Sequence, residues 1–182
     1  MTTKRVLGIL AATLLSLITL IGLTPSAIAA PQARTVYYNA SGAGEYRGTA
    51  DQAAQIWNQR VPNVRLVSGG SATMTIRVTT GGGSRAYPQG LGRGLVYIDR
   101  NDVNAGHYAL RIMAHEIGHI LGLPDNYNGV CSQLMSGGSA GTSCRNPNPN
   151  AQEAARVNQL FAGGFSPSSI ESTVYDRELA AA

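Results

Sequence analysis

The stretch Ala-His-Glu-Ile-Gly-His at residues 114–119 holds two histidines and a glutamate at a spacing that suits metal chemistry. His115 and His119 are i and i+4, so on a helix their imidazoles project from one face and can bind one metal ion. Glu116 can reach a zinc-bound water molecule and take its proton as a general base. The arrangement predicts zinc-assisted hydrolysis of an amide bond. The alternative is a pair of histidines that cap or pack an ordinary amphipathic helix.

A catalytic zinc ion takes three protein ligands and leaves a fourth position open, so a further ligand is needed. Asp125 is the first candidate, because Gly122 can end the helix and Pro124 cannot continue it. The chain then turns sharply, and the aspartate can come back to the metal. Glu153 is a rival from a second helix, although it also fits the N3 position of a capping box. His107, the remaining histidine, lies more than two helical turns upstream of the pair.

The rest of the chain supplies the elements that must position this site. Segments that alternate or are rich in β-branched residues predict four strands, at 35–39, 64–67, 72–79 and 95–99. Apolar residues at helical spacing predict three helices, at 49–61, 108–121 and 150–162. Thr49 is the expected cap of the first helix. This pattern indicates an α+β fold with a small mixed, twisted sheet packed on the zinc-binding helix and two further helices.

The connections include one long glycine-rich segment at 81–94. Its glycine spacing invites comparison with a phosphate-binding loop, but it contains no G-K-[ST] motif and no helix clearly follows it. We therefore expect a flexible surface loop. Residues 122–149, between the second and third helices, are expected to be irregular.

Residues 1–29 have the composition of a secretory signal peptide. A basic start, MTTKR, precedes an apolar stretch at 6–23. Ala27 and Ala29, on either side of an isoleucine, fit the small-residue rule for signal peptidase. A retained membrane helix is the alternative, since the apolar stretch is almost long enough to span a bilayer. We expect cleavage, secretion to the extracellular space, and a mature single domain of residues 30–182 whose core lies at about 35–165.

The charge of this mature domain argues against nucleic-acid binding. Removing Lys4 and Arg5 leaves 12 basic against 10 acidic residues, and the basic ones are all arginines scattered along the chain. Proteins that bind nucleic acid instead carry a concentrated basic patch. We expect a monomer that contacts neither nucleic acid nor, after signal cleavage, the membrane.

Cys131 and Cys144 are the two cysteines of the chain. In an exported protein an even cysteine count favours a disulfide, which for a loop of this length should stabilise the fold by ~3 kcal/mol. Thiolate ligands for zinc would need a C-x-x-C spacing or histidines nearby, and neither is present. We expect the disulfide.

The motif H-E-x-x-H-x-x-G-x-x-D, followed by Leu-Met-Ser-Gly-Gly at 134–138, resembles the metzincin clan of zinc peptidases with its methionine turn, the Met-turn. More narrowly, the chain resembles the snapalysin family, the small neutral proteases secreted by Streptomyces. The residues that carry this resemblance are at 35–39, 54–58, 122–127, 131–138 and 144–153. The resemblance spans about 35 to 165, nearly the whole mature chain.

This resemblance implies a zincin-like fold and one catalytic zinc ion bound by His115, His119 and Asp125. It implies that Met135 lies beneath the metal and that Tyr127, two residues after the aspartate, stabilises the oxyanion of the transition state. It also implies protein and peptide substrates, with a preference for an aromatic residue just after the scissile bond. A secreted protein inhibitor is a further partner that this resemblance suggests.

The chain departs from the family pattern in two places. The family commonly has an inhibitory segment between signal and mature domain, and here only residues 30–34 could serve. The family is also associated with a structural calcium ion upstream of the zinc helix, where this chain has Tyr108 and Leu110, which offer no carboxylate. Asp99 and Asp102 are the residues that could contribute to a calcium site in another arrangement.

Two other functions fit parts of this pattern. One is a catalytically idle, secreted zinc-binding or interaction protein with the same fold, although such a protein has no need of Glu116. The other is a zinc amidase such as a peptide deformylase, against which export and the lack of an upstream cysteine ligand argue. The end of the chain, 166–182, extends past the core, and its acidic residues indicate a solvated tail.

Overall fold

The computed structural model describes residues 32–163, so the predicted signal segment at 1–29 and the tail at 166–182 lie outside the described residues. The strands are β1 Arg34–Gly42, β2 Val64–Ser68, β3 Met74–Thr79, β4 Arg85–Pro88 and β5 Gly94–Asp99. The α-helices are α1 Arg47–Arg60, α2 Arg100–Asn104, α3 Ala109–Ile120 and α4 Ala151–Phe161. Two 3₁₀ helices are Gly44–Tyr46 and Leu134–Ala140. The α+β fold class predicted from the sequence is confirmed.

The five strands form one mixed sheet in the order β2-β1-β3-β5-β4, with β4 antiparallel to β5 and the other described pairs parallel. Alternate residues of the strands are apolar and buried, the period expected of a sheet with one covered face. They include Val36, Tyr38, Met74, Ile76, Val96 and Ile98. Helix α3 contacts both β4 and β5, and α1 packs beside it. Within 32–163 no helix is long and apolar enough to cross a membrane.

Helix α1 holds α3 in place through one buried aromatic side chain. Trp57 is fully buried and donates its indole N–H to the carbonyl of Ala114, one residue before the first site histidine, at 3.0 Å. Helix α1 begins at Arg47 instead of at the predicted cap Thr49. The preceding 3₁₀ helix continues directly into α1, and no side-chain cap is made at the junction. The added residues Arg47 and Gly48 are exposed, so the helix extends upstream by continuing the 3₁₀ turn and not by extra packing.

The prediction of a flexible loop at 81–94 is wrong. Residues Arg85–Pro88 form the edge strand β4, and the second residue of that strand is fully buried. Asp99 holds the turn ahead of it, because its two carboxylate oxygens accept backbone N–H groups from Gly81 at 2.9 Å and Gly83 at 2.8 Å. A carboxylate with several amide donors is a rigid anchor for a glycine-rich turn. The edge strand beside α3 is therefore held by a long-range contact.

Asp99 also caps the unpredicted helix α2, accepting the backbone N–H of Asn101 at 2.9 Å. The neighbouring Asp102 accepts the backbone N–H of Ser84 at 2.6 Å. These carboxylate oxygens of the two candidate calcium ligands therefore accept hydrogen bonds from backbone N–H groups. Their role in this fold is to join α2 to the turn before β4.

Candidate metal centre

Helix α3 carries the paired histidines on a buried segment, since every residue from Arg111 to Ile120 is buried. The helix ends in a Schellman motif, in which Gly122 donates to the His119 carbonyl at 3.0 Å and Leu123 donates to the Gly118 carbonyl at 3.0 Å. Gly122 has φ +100°, and a Cβ there would lie 2.6 Å from a methyl carbon of Leu160. The predicted end of the helix is thus observed, and it turns the chain back toward the histidines.

The turn brings three ligand atoms together. The Nε2 atoms of His115 and His119 are 3.1 Å apart, and Asp125 Oδ1 lies 3.1 Å from the first and 3.4 Å from the second. A tetrahedral site with zinc–ligand distances of 2.0–2.1 Å has ligand–ligand edges of about 3.3–3.4 Å. The three observed distances are close to such edges, so these residues fit a zinc ion.

Hydrogen bonds on the other ring nitrogens also favour metal binding. His115 Nδ1 donates to the carbonyl of Leu134 at 3.0 Å, and His119 Nδ1 donates to the carbonyl of Leu123 at 2.8 Å. With the proton on Nδ1, each neutral ring turns the lone pair of Nε2 toward the Asp125 carboxylate. Three lone pairs that converge in a buried site are the donor set that a cation requires.

The pKa values of this group keep the ligands in their metal-binding forms. Burial lowers the pKa of His115 below its ordinary value of 6.5, because the charged ring is poorly solvated there. Burial by itself would raise the pKa of Asp125, but its close contacts with His115 and His119 outweigh burial and hold that pKa well below its usual range. Near neutral pH the site therefore presents a neutral His115 imidazole and an ionised Asp125 carboxylate.

We predict that zinc retention falls as the pH falls, with a midpoint below pH 6.5, the ordinary histidine value. Protons compete with the metal for Nε2, and a lowered histidine pKa moves that competition to more acidic pH. The measurement is the zinc content of the protein after dialysis across a pH series from neutral to acidic. A midpoint at or above the ordinary histidine pKa would contradict the lowered value for His115.

Glu116 lies at the same site and is fully buried. A ring nitrogen of His115, a ring nitrogen of His119 and a carboxylate oxygen of Glu116 lie within 4.8 Å of one another. The glutamate is therefore close enough to act on a molecule held at the metal position. Among the described residues, this group contains neither His107 nor Glu153, and Asp125 is linked to it through its distances to the two Nε2 atoms.

The loop that follows α3 packs against the turn of α3 that carries the two histidines. Met135 is 2% exposed, and its sulfur lies where a Cβ on Gly118 would be only 2.8 Å away. The missing side chain at Gly118 thus lets the methionine approach the turn of α3 between the two histidines. Tyr127, half-buried and with φ +34°, is two residues beyond Asp125 in the same loop. The family resemblance singled out Met135 and Tyr127, and nothing in the sequence indicated the need for Gly118.

The disulfide between Cys131 and Cys144 is present and closes the loop that contains the Met-turn. Arg111, which the sequence analysis did not single out, lies inside this loop and is 1% exposed. Its guanidinium donates to the Asn146 carbonyl at 2.7 Å, the Gln133 carbonyl at 2.8 Å and the Ser136 hydroxyl at 2.9 Å. The signal in the sequence is a single arginine among the apolar residues of α3, at i−4 from His115.

Glu153 occupies the N3 position of a capping box at the start of α4. This is the alternative that the sequence offered to Glu153 as a zinc ligand. Asn150 Oδ1 accepts the backbone N–H of Glu153 at 2.8 Å, and Glu153 Oε2 accepts the backbone N–H of Asn150 at 2.6 Å. The same carboxylate also accepts the backbone N–H groups of Leu134 at 3.1 Å and Met135 at 2.9 Å. It therefore joins the start of α4 to the Met-turn.

Comparison with known proteins gives a consistent family assignment. Residues 33–164 match the model of the Streptomyces extracellular neutral proteinase (M7) family. The extracellular small neutral protease of Streptomyces lividans is 48% identical over 143 residues, which are 78% of this chain and 61% of that protein. The protein of the same name from Streptomyces caespitosus is 48% identical over 131 residues, 71% of this chain and 98% of that protein. The chain thus spans about three fifths of the length of the first relative and nearly all of the second.

Among solved structures, the fold is similar to high choriolytic enzyme 1, a hatching-enzyme zinc protease from the medaka fish Oryzias latipes. The two chains share 19% sequence identity with a TM-score of 0.48, over 71% of this chain and 90% of that one.

Proposed function

The chain belongs to the Streptomyces extracellular neutral proteinase family, and on that premise we propose that it is a secreted zinc-dependent endopeptidase acting on extracellular proteins. The observation that carries this proposal is the convergence of two Nε2 atoms and Asp125 Oδ1, at edges of 3.1 to 3.4 Å, beside the buried Glu116. His115, His119 and Asp125 would hold the zinc ion. When bound, zinc at such a site supplies a Lewis acid that polarises a carbonyl and makes water acidic near neutral pH.

The chain's own residues would move the proton. Glu116, as general base, takes a proton from the attacking water and later delivers it to the nitrogen of the leaving amine. Its buried position, next to one ligand and three residues before the other, keeps the carboxylate at the reacting atoms. The Nδ1 hydrogen bonds of the two histidines hold both rings still during this transfer.

The experiment that tests the proposal is cleavage of casein by the secreted protein before and after metal removal. We expect cleavage, its loss after treatment with a chelator, and its return on adding one equivalent of zinc. In the same experiment, peptides that differ only by Phe, Tyr or Ala after the scissile bond test the proposed aromatic preference. A protein that binds zinc but cleaves neither casein nor these peptides would be an idle zinc binder.

Tyr127 is proposed to donate its phenol hydrogen to the developing oxyanion. We expect Tyr127→Phe to lower kcat about 10²- to 10³-fold with little change in KM, because one oxyanion donor contributes about this much to the rate. Phenylalanine retains the ring, so the control is an unchanged melting temperature. Steady-state kinetics on a single peptide give both constants. A rise in KM at constant kcat would instead make Tyr127 a substrate-binding residue.

Export is also part of this proposal. The basic start, apolar stretch and small residues of 1–29 support removal of a signal peptide, and the relatives are named extracellular proteases. N-terminal sequencing of the protein from culture medium would test it, with a mature chain that starts at residue 30 as the expected result.

A further inference from the structure

Two successive peptide groups of the Met-turn lie between a buried carboxylate and a buried guanidinium. On one side, Glu153 accepts the N–H groups of Leu134 at 3.1 Å and Met135 at 2.9 Å. On the other side, Arg111 Nη2 donates to the Gln133 carbonyl at 2.8 Å and the Leu134 carbonyl at 3.3 Å. Each of these peptides therefore donates to the negative group and accepts from the positive one.

This arrangement sets the hydrogen-bond partner of a proposed zinc ligand. The Leu134 carbonyl that Arg111 contacts is the one that accepts the Nδ1 hydrogen of His115 at 3.0 Å. It belongs to the same peptide group as the Met135 N–H that Glu153 accepts. Because a peptide group is planar, fixing its N–H also fixes the direction of its carbonyl. The Glu153 carboxylate thus controls the acceptor that orients the His115 ring.

The charges support a role beyond helix capping. A capping box needs the N3 carboxylate to accept only the N-cap N–H, whereas this carboxylate accepts three backbone N–H groups. Glu153 is 8% exposed and Arg111 is 1% exposed. Between these two residues the structure has no direct ion pair, so their charges are compensated through the peptides between them. Charge-assisted hydrogen bonds of this kind are short and directional, which favours a fixed carbonyl.

We propose that Glu153 is a positioning residue of the metal centre, acting on His115 through the peptide that joins Leu134 to Met135. The inference rests on the proposed function, because it takes His115 as a zinc ligand. Outer-shell partners of metal-bound histidines typically change metal affinity 10- to 100-fold. Glu153 is one hydrogen bond further from the metal than the Leu134 carbonyl that contacts His115. We therefore expect its substitution to change zinc affinity about tenfold.

The test compares Glu153→Gln with Asn158→Ala on the same helix. The glutamine side chain keeps the size of glutamate but turns an NH₂ group toward backbone donors, so at least one Met-turn hydrogen bond is lost. Asn158 Oδ1 accepts the backbone N–H of Asn63 at 3.0 Å, so its loss weakens the attachment of α4 without touching the Met-turn. Zinc dissociation constants from competition with a chromophoric chelator, zinc release rates and melting temperatures are measured for both variants and the parent.

We expect Glu153→Gln to weaken zinc binding about tenfold and to speed zinc release, while Asn158→Ala lowers the melting temperature with parental zinc affinity. Equal zinc affinity in Glu153→Gln and the parent, with a lower melting temperature, would overturn the inference and leave Glu153 a helix cap. Should Glu153→Gln not fold, Glu153→Asp carries the test, since it retains the charge but is one methylene too short for both amides. A parent that binds no zinc would instead overturn the proposed function.

Discussion

Replacing Glu116 with glutamine is expected to reduce peptide hydrolysis about 10³- to 10⁴-fold, the upper part of the range for loss of a general base. Glutamine has nearly the same volume as glutamate, which matters because Glu116 is fully buried and a smaller side chain would leave a cavity. It cannot take the proton of an attacking water molecule. The variant should therefore keep the fold and one zinc ion per chain while losing the rate.

The measurement is kcat/KM on a fluorogenic peptide, with zinc content and melting temperature determined on the same samples. Loss of activity together with loss of zinc would show that the variant has damaged the metal site, and Glu116→Asp would then be needed to separate the two effects. Activity within tenfold of the parent, with zinc retained, would exclude Glu116 as the base.

Replacing Asp125 with alanine is expected to weaken zinc binding by more than the ~100-fold that outer-shell substitutions reach, because only two imidazole ligands remain. Asp125 Oδ1 lies 3.1 Å and 3.4 Å from the two Nε2 atoms, so the substitution removes the oxygen that faces both imidazoles. Peptide hydrolysis at limiting zinc should fall with the affinity.

Asp51→Ala is the matched control for removing an aspartate. Asp51 accepts the hydroxyl hydrogen of Tyr38 at 2.6 Å on α1 and has no contact with the zinc ligands. Zinc dissociation constants should be unchanged in this control. The order of effects also separates the two candidate ligands: Asp125→Ala should weaken zinc binding more than Glu153→Gln, and the reverse order would make Glu153 the third ligand.

The parts of the site that follow from local spacing could be predicted from the sequence. Histidines at i and i+4 share one helix face whatever the rest of the fold, and a glycine followed by proline two residues later ends a helix on local grounds. The capping box at Asn150 and Glu153 is equally local, and it is observed. With two cysteines, only one intramolecular pairing was possible, and the structure contains it.

Other features needed the folded chain because their partners are distant in sequence. The edge strand β4 is four residues long within a glycine-rich segment, and it exists through pairing with β5 and the Asp99 anchor of its turn. Its local propensity gives no strand signal, so the sequence predicted a loop. Helix α1 starts before its apparent cap because the 3₁₀ helix Gly44–Tyr46 runs directly into it, and the exposed Arg47 and Gly48 continue that turn.

The sequence by itself determined the candidate ligands on α3, the proposed base between them and the turn that ends the helix, since each depends on backbone geometry within one or two helical turns. Only the tertiary structure decided that Asp125 Oδ1 reaches both imidazoles and that Glu153 bonds to the Met-turn. It also decided that Arg111 holds the same turn from the other side. These contacts join residues up to 23 positions apart, and their directions are set by how α3, α4 and the disulfide-closed loop pack together.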